Sequence, residues 1–454
     1  MLPSIIDKIE GILSVHTIPG LGLVIRSPQG NTIQGFGFAN IDAGTPIEPD
    51  SLWQLASLSK NISATCAAWL LQDEEIISYS TPINSYACKT VKFATESQTS
   101  DVSIRSCFSH TTGVQEQAGS DMATYGYGWR DIVETFRYYP NIGFQYFFNY
   151  GNETFSLGLE SLTRFFSSDP RRALAKFFKH FQMTSTTTSL RKVIESPKKV
   201  TSYSPDKQDV LLPTQTFDSS AFVPAGGISS TLSDLDRYLQ IHLGQEIQNL
   251  SAIYSPVTES GIPNGKLYGM GTAIDELVGD KVLFHQGLYI TGFSHICLYS
   301  IEYQIGIVIL TNSVNALPQP LAYFIYALLR GSTFEEAAEI FETLLKDIQA
   351  DLDTLKCDIN QKQYLLTSAF DRVDLTGNYF SSTSSDLRIS ESGIKVGRLG
   401  SVPFDIVDGQ LIFTVNDVNN QQLECRASPI IDDCGYVIGL NTYIDCSYDL
   451  YERV

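Results

Sequence analysis

The segment QLASLSKNISATCAAWLLQ contains a serine and a lysine at a spacing that permits nucleophilic catalysis. Ser57 and Lys60 lie three residues apart, just where apolar residues begin to recur at helical spacing. Positions i and i+3 share one face of a helix, so the lysine amine would lie near the serine hydroxyl. A serine becomes a good nucleophile only when a neighbouring base takes its proton, and burial can lower the pKa of a lysine enough to make it that base. On this motif alone, a solvated serine and lysine near a helix N-terminus is the commoner arrangement.

Two further segments supply polar groups that suit the same chemistry. FFNYGNETFSLG contains Tyr150 and Asn152, and LFHQGLYITGFSH contains His285 and Gly287. With S-x-x-K, Y-x-N and H-x-G in this order, the chain resembles the serine β-lactamases and penicillin-binding proteins, in particular the branch of class C β-lactamases, D-alanyl-D-alanine carboxypeptidases and esterases. The segments CFSHTTGV, PAGGISSTLSDLDRYL, YGMGTAI and GIVILTN also resemble this family, so the likeness extends over about residues 21–312.

The resemblance implies a role for each residue of the first two motifs. Ser57 would be the acylated nucleophile, and Lys60 the base or proton relay beside it. Tyr150 would pass a proton to the leaving group, acting as a phenolate with the help of Lys60, because a tyrosine with a pKa near ~10 needs such help. Asn152 would hydrogen-bond a carbonyl or amide of the substrate. His110, in the S-H-T-T-G segment, is interpreted as a structural residue of its loop.

The third motif is expected to form the opposite wall of the site. His285 replaces the lysine of the family's K-T-G and would orient Tyr150 or the substrate. Gly287 would leave room for the acyl group against an edge strand, and the backbone N–H groups of Ser57 and Leu288 would form the oxyanion hole. A histidine here removes a fixed positive charge that would hold a substrate carboxylate, which weakens the case for β-lactams or peptidoglycan stems as substrates.

Three functions are compatible with these residues. The first is a serine hydrolase that cleaves an ester or amide of a small metabolite or peptide. The second is an acyltransferase or cyclase of secondary metabolism that uses the same acyl-enzyme; eleven aromatic residues within 122–150 could wall an apolar cleft that favours transfer. The third is a non-catalytic binding protein, which the intact Ser57, Lys60, Tyr150 and Asn152 argue against.

Composition narrows the possible partners and location. Asp and Glu outnumber Lys and Arg by 50 to 31, giving a net charge of −19, which repels nucleic acids and anionic membranes. Cys425, Cys434 and Cys446 lack a CxxC spacing or a nearby histidine, so neither a metal nor another cofactor is predicted. The first 20 residues lack the apolar core of a signal peptide, and with the free cysteines this predicts a cytoplasmic protein. The sequence leaves the oligomeric state open.

Hydrophobic patterning predicts an α+β fold. The strand-like runs LGLVIRS and NTIQGFGFA precede a mostly helical region, and strand-like runs return after Gly261. We therefore expect one antiparallel sheet, flanked by helices, with a mostly helical subdomain inserted, over residues 1–332. A capping box at Ser332, Thr333, Glu335 and Glu336 opens a helical connector over 333–370. Short segments of alternating pattern, separated by turns, predict a small antiparallel barrel over residues 371–454. LTGNYF resembles the start of the lipocalin-like domain that some family members carry.

Overall fold

A computed structural model describes most of the chain. The described residues are Ile6, Ile9 and Gly11, then 18–85, 90–116, 118–124, 127–205, 210–289 and 292–362, and beyond these 377–380, 387–390, 393–396, 401–407, 410–416, 422–431, 437–444 and 447–453. They form two compact units. The first comprises residues 1–90, 100–113 and 143–350, and the second 91–99, 114–142 and 351–454. The boundaries predicted at residues 332 and 370 stay predictions.

The first unit is built on a nine-stranded antiparallel sheet, in the order β3-β2-β1-β13-β12-β11-β10-β9-β8. The strands of this unit, including four short ones outside the sheet, are β1 (Gly20–Ser27), β2 (Gly30–Asn40), β3 (Thr45–Pro46), β4 (Trp53–Gln54), β5 (Tyr203–Pro205), β6 (Leu211–Pro213), β7 (Ser229–Ser230), β8 (Thr258–Glu259), β9 (Leu267–Tyr268), β10 (Ala273–Leu277), β11 (Asp280–Tyr289), β12 (Phe293–Ser300) and β13 (Ile305–Thr311). Leu23 of β1 pairs with Ile309 of β13, so strands from both ends of the unit meet. The expected single sheet with an inserted helical region is confirmed.

The helices lie mainly in the inserted region and after the last strand of the sheet. In chain order, they are α1 (Leu58–Leu71), α2 (Glu96–Asp101), α3 (Ile104–Phe108), α4 (Ser120–Thr124), α5 (Trp129–Thr135), α6 (Asn152–Phe165), α7 (Pro170–His180), α8 (Leu190–Glu195), α9 (Val223–Gly226), α10 (Leu232–Leu243), α11 (Pro318–Leu329) and α12 (Phe334–Lys362). Before residue 18, the structure describes only Ile6, Ile9 and Gly11, which are helical.

Helices cover both faces of the sheet, which explains why its central strands are apolar at successive positions. Alternate residues of a strand face opposite sides. Leu23 of β1 belongs to a buried cluster with Leu321 and Ile325 of α11. On the other face, a Cβ added at Gly22 would lie 2.7 Å from the side chain of Leu232 in α10. The sheet is therefore buried between α11 on one face and α10 on the other.

The predicted capping box opens α12. The Thr333 N–H donates to Oε2 of Glu336 at 2.8 Å, and the Glu336 N–H donates to Oγ1 of Thr333 at 3.2 Å. These reciprocal bonds satisfy two backbone donors that the first turn of a helix leaves unpaired. The predicted helix start is confirmed.

The second unit contains a nine-stranded antiparallel sheet, in the order β17-β16-β15-β14-β22-β21-β20-β19-β18. Its strands are β14 (Gly377–Phe380), β15 (Leu387–Ser390), β16 (Gly393–Val396), β17 (Ser401–Val402), β18 (Phe404–Val407), β19 (Gln410–Asn416), β20 (Gln422–Ile431), β21 (Val437–Ile444) and β22 (Ser447–Arg453). Alternate residues such as Leu411, Phe413 and Val415 share one buried cluster. The antiparallel pairing agrees with the sequence prediction, and closure into a lipocalin-like barrel stays a prediction.

Candidate active site

Ser57 sits on a sharp turn between a short strand and α1. β4 pairs with β7, and the Leu55 N–H donates to the carbonyl of Ile228 at 3.0 Å. Ala56 then adopts a left-handed backbone, with φ of +48°, a conformation that costs free energy for a residue other than glycine. The chain enters the first turn of α1 immediately afterwards, where the Lys60 N–H donates to the Ser57 carbonyl at 3.0 Å. The turn presents the Ser57 hydroxyl at the N-terminus of a helix, where a positive dipole end favours an oxyanion.

Lys60 lies one turn along α1 with its amine inside the protein. Nζ donates to Oγ of Ser57 at 3.0 Å, to Oδ1 of Asn152 at 2.6 Å and to the carbonyl of Ala225 at 3.3 Å. Burial lowers the pKa of Lys60 to about 7, against the opposing negative charge of Glu153. An amine with a pKa near neutrality is a competent general base at physiological pH.

Tyr150 completes the environment of the serine. Its hydroxyl donates to Oγ of Ser57 at 2.9 Å, and Nζ of Lys60 lies 4.4 Å from the centre of its ring. Burial raises the pKa of Tyr150 well above its usual range, and Glu153 adds to this rise. Desolvation and a nearby carboxylate both favour the neutral phenol. The expectation that Tyr150 works as a phenolate with the help of Lys60 stays a prediction.

Asn152 is the first residue of α6, and its side chain is directed at Lys60. Because an amide oxygen only accepts, Nζ of Lys60 is the donor and Oδ1 of Asn152 the acceptor in the 2.6 Å bond. In the described part of the chain, its amide NH₂ group donates to no acceptor. The NH₂ group would therefore make the expected hydrogen bond to a substrate carbonyl, which stays a prediction.

His285 is buried, and both of its ring nitrogens have hydrogen-bond partners. It is 1% exposed, and burial lowers its pKa to about 3, with Lys60 as a second cause. The neutral ring donates from Nδ1 to the Gln286 carbonyl at 2.6 Å and accepts at Nε2 from the Tyr268 hydroxyl at 3.0 Å. Among the described residues it makes no hydrogen bond to Tyr150, and the expectation that it orients Tyr150 or the substrate stays a prediction. Strand alternation and the packing of Tyr268 set the orientation of the His285 ring.

Gly287 packs closely against the turn that precedes Ser57, and the expectation that it leaves room for an acyl group stays a prediction. A Cβ at this position would lie 2.6 Å from the carbonyl oxygen of Leu55 and 3.2 Å from Cγ of Leu58. The space beside Gly287 is thus occupied by the turn that precedes Ser57. In the sheet β11 lies between β12 and β10, but its pairing with β10 ends at Phe284, so among the described strands only β12 flanks Gly287.

Leu288 lies where β11 runs beyond its neighbour. The pairing of β10 with β11 ends at Phe284, so among the described residues no strand flanks Leu288 on that side. Its side chain is 43% exposed. The predicted oxyanion hole of the Ser57 and Leu288 N–H groups stays a prediction.

The structure thus joins four of the predicted residues in one hydrogen-bonded cluster: Ser57, Lys60, Tyr150 and Asn152. Two contributors were not predicted. Glu153 is buried beside the cluster and acts on the pKa of both Lys60 and Tyr150; its position next to Asn152 in Y-G-N-E was the available signal. The Ala225 carbonyl, within the A-G-G segment, accepts from Lys60, and no side-chain pattern could reveal it.

Among the described residues, no group of three or more His, Cys, Asp and Glu could hold a metal ion. Cys66, Cys107, Cys297 and Cys425 are free thiols, whereas the side chains of Cys434 and Cys446 lie outside the described residues. Within the described part of the chain, no helix has both the length and the apolar character that crossing a bilayer requires.

The chain is similar to known proteins both in sequence and in fold. Among curated proteins, the chain is 24% identical over 134 residues to the Unguisins hydrolase ungD of Aspergillus violaceofuscus; the match covers 28% of this chain and 24% of that protein, so the chain spans about a quarter of the relative's length. It is similar in fold to the octameric penicillin-binding protein homologue from Pyrococcus abyssi, with a TM-score of 0.67 and 16% identity, covering 99% of this chain and 100% of that one.

The chain is also similar in fold to a class C beta-lactamase. Its TM-score is 0.62 at 19% identity, and the superposition covers 73% of this chain and 97% of that one. A sequence profile of the family described as Beta-lactamase matches residues 5–329. Because that match takes in well over half of the 454 residues, the chain belongs to the Beta-lactamase family.

Proposed function

We propose that this protein is a serine hydrolase that forms an acyl-enzyme at Ser57 on an ester or amide of a small metabolite or peptide. The observation that carries the proposal is that Oγ of Ser57 receives hydrogen bonds from both the Lys60 amine and the Tyr150 hydroxyl, at 3.0 and 2.9 Å. A nucleophile, a base and a proton donor are thereby in contact before any substrate arrives. That is the arrangement that acyl transfer requires.

In the acylation step, the neutral amine of Lys60 takes the Ser57 proton as Oγ attacks the substrate carbonyl carbon. The negative oxygen of the tetrahedral intermediate lies at the N-terminus of α1, where the N–H groups of Ser57 and Leu288 stabilise it. Tyr150 gives its proton to the leaving alcohol or amine, the bond to that group breaks, and the ammonium of Lys60 returns a proton to Tyr150. The raised pKa of Tyr150 supports this role, because the phenol stays protonated until the leaving group needs a proton.

In the deacylation step, a water molecule attacks the acyl carbon and its proton passes to Lys60. The bond to Oγ of Ser57 then breaks, Ser57 regains a proton, and the free acid leaves. Asn152 holds the amine of Lys60 in place throughout, since its Oδ1 accepts from Nζ at 2.6 Å.

The substrate class follows from the charges around the site. His285 is neutral and buried, so it supplies no cation for a substrate carboxylate. We therefore infer a substrate whose acyl part lacks a carboxylate at that position. The name of the Aspergillus relative, a hydrolase, agrees with hydrolysis of a compound other than a β-lactam, although it matches only about a quarter of that protein.

Transfer to an alcohol or amine is a second candidate, and the aromatic segment before Tyr150 favours it. Phe148 packs 5.1 Å from the ring of Tyr268, whereas Tyr146 and Phe147 are 81% and 64% exposed. Apolar rings that cover the acyl-enzyme would exclude water and let another nucleophile compete. A cyclase would use the same step with a nucleophile on the acyl chain itself. The remaining alternative, a non-catalytic binding protein, predicts no acylation at all.

Intact-mass spectrometry after treatment with a fluorophosphonate and with a panel of activated esters tests the proposal. We expect one adduct, located on Ser57 and absent from Ser57→Ala. Ser63→Ala is the matched control, because Ser63 lies on the same helix and donates to the Pro224 carbonyl instead. No adduct in folded wild-type protein would overturn both enzyme proposals and favour a binding protein. If an ester is turned over, the reaction is repeated with added alcohols or amines. A change of product from the free acid to a new ester or amide would favour transfer.

A further inference from the structure

The loop that carries His110 lies directly behind the segment that carries Tyr150 and Asn152. The His110 carbonyl accepts from the Asn149 N–H at 2.7 Å, and its ring nitrogen Nδ1 accepts from the Gly151 N–H at 3.2 Å. The imidazole ring lies 4.5 Å from the Tyr150 ring, centre to centre, at an interplanar angle of 32°. His110 thus contacts three successive residues, Asn149, Tyr150 and Gly151, by three different groups.

The state of the His110 ring follows from these contacts. It is fully buried, and burial lowers its pKa well below the usual range, with Lys60 and His285 as further causes. The ring is therefore neutral, and because Nδ1 accepts, Nε2 carries the proton. In the described part of the chain, that Nε2–H has no hydrogen-bond partner.

An unpaired buried donor is unfavourable, so packing alone does not account for a histidine here. An apolar ring would fill the same space without leaving a buried N–H group unpaired. What the histidine adds is an acceptor at Nδ1 for the Gly151 N–H, a donor at the N-cap position of α6. The backbone at His110 is left-handed, with φ of +60°, which directs the ring at this segment.

We propose that His110 is a positioning residue, which fixes the Tyr150–Gly151–Asn152 segment against Ser57 through one hydrogen bond and one ring contact. This inference rests on the proposed function, since it assigns His110 a role in placing the Tyr150 proton donor. His110 itself contacts neither a substrate nor the reacting atoms. This role differs from the one expected from the sequence, in which His110 holds only its own loop. Here His110 holds the segment that carries Tyr150 and Asn152.

Two substitutions that both tolerate a left-handed backbone separate the hydrogen bond from general packing. His110→Asn places an amide oxygen where Nδ1 lies, and His110→Gly offers no acceptor. We expect the asparagine variant to keep most of the kcat and the glycine variant to lose roughly 10²-fold in kcat with a smaller change in KM. The loss in the glycine variant should be larger for alkyl esters than for esters with activated leaving groups, because only the former need the Tyr150 proton.

A merely structural role predicts a different pattern. The two variants would then differ only in melting temperature, and the dependence on the leaving group would match that of the wild type; either result overturns the inference. Crystal structures of both variants provide a test that needs no activity. We expect the Tyr150 Oη to Ser57 Oγ distance to stay near 2.9 Å in His110→Asn and to lengthen in His110→Gly. An unchanged distance in the glycine variant refutes the positioning role, whereas absence of any Ser57 adduct in the wild type refutes only the proposed function.

Discussion

The two walls of the candidate site are built on different principles. On the helix wall, Ser57, Lys60, Tyr150 and Asn152 meet through their side chains, in a chain of hydrogen bonds between 2.6 and 3.0 Å. On the strand wall, His285 and Gly287 face inward, and what they contact is Tyr268 and the turn before Ser57. Motif residues that look equivalent in the sequence therefore contribute chemistry on one wall and close packing on the other.

This contrast also concerns stability. The helix wall buries an amine, which is unfavourable whenever that amine is charged. The strand wall brings a glycine against a backbone carbonyl, and such close packing is stabilising. The protein thus places an energetically unfavourable group, Lys60, on the helix that follows the turn packed against Gly287.

The sharpest test compares two buried tyrosines, one from each wall. Tyr150→Phe removes the proton donor to the leaving group, and we expect kcat to fall by roughly 10²- to 10⁴-fold. Tyr268→Phe removes the hydrogen bond to His285, and we expect a loss of less than about 10-fold, because that bond does not reach the reacting atoms. Steady-state kinetics on an ester, with thermal unfolding to confirm folding, measures both. Equal losses would show that the strand wall takes part in the chemistry.

The second test measures what the buried amine does to stability. The pKa of Lys60 falls from its ordinary 10.5 to about 7 in the folded protein, because of burial and despite Glu153. Between these values the unfolded chain binds more protons than the folded one, so this group makes the free energy of unfolding rise with pH, by up to about 1.4 kcal/mol per pH unit. Below about pH 7 the penalty is fully present.

Urea denaturation of the wild type and of Lys60→Met, from about pH 7 to about pH 10, measures this effect. We expect the difference in unfolding free energy between the two proteins to change steadily across this window in favour of the wild type. All other titrating groups are common to both proteins and cancel. A difference that is independent of pH would mean that Lys60 keeps an ordinary pKa.

The third test perturbs the strand wall. Gly287→Ala puts a methyl group 2.6 Å from the carbonyl oxygen of Leu55, so the strand or the turn must move, at a cost of ~1–3 kcal/mol. Gly128→Ala is a suitable control, because its φ is −88° and the nearest atom to an added Cβ, Oδ2 of Asp131, is 3.8 Å away. Urea denaturation gives both values. If Gly287→Ala cost no more than the control, the close packing would be unimportant.

The smallest expected effect is on the pH profile. A base with a pKa of about 7 makes kcat/KM rise through neutral pH and level off above it. Glu153→Gln removes a negative charge that stabilises the ammonium form, so the pKa of Lys60 falls and the midpoint moves to lower pH, by about one unit or less. Glu160→Gln, on the same helix but paired with Arg164, should leave the midpoint in place. A midpoint that Glu153→Gln does not move would exclude Glu153 as a modulator of Lys60.

Much of the fold was predictable because its signals are local. The runs LGLVIRS and NTIQGFGFA mark strands, and they match β1 and β2 within one residue at each end. Thr333 and Glu336 mark a helix start by hydrogen bonds that span three residues. The residue types and order of the three motifs likewise led to the family.

The electrostatics and orientation of the site depended on residues far apart in the chain. Lys60 is bonded to Asn152 and Ala225, which are 92 and 165 residues away, and its pKa depends on burial by those distant segments. The direction of His285 and the crowding at Gly287 were set by which face of β11 packs against α1. A sequence determines which side chains are available and how each segment alternates, whereas desolvation and contact are properties of the assembled core. For that reason the sequence alone identified the candidate nucleophile and its neighbours, and only the tertiary structure decided which of them are charged, neutral or in contact.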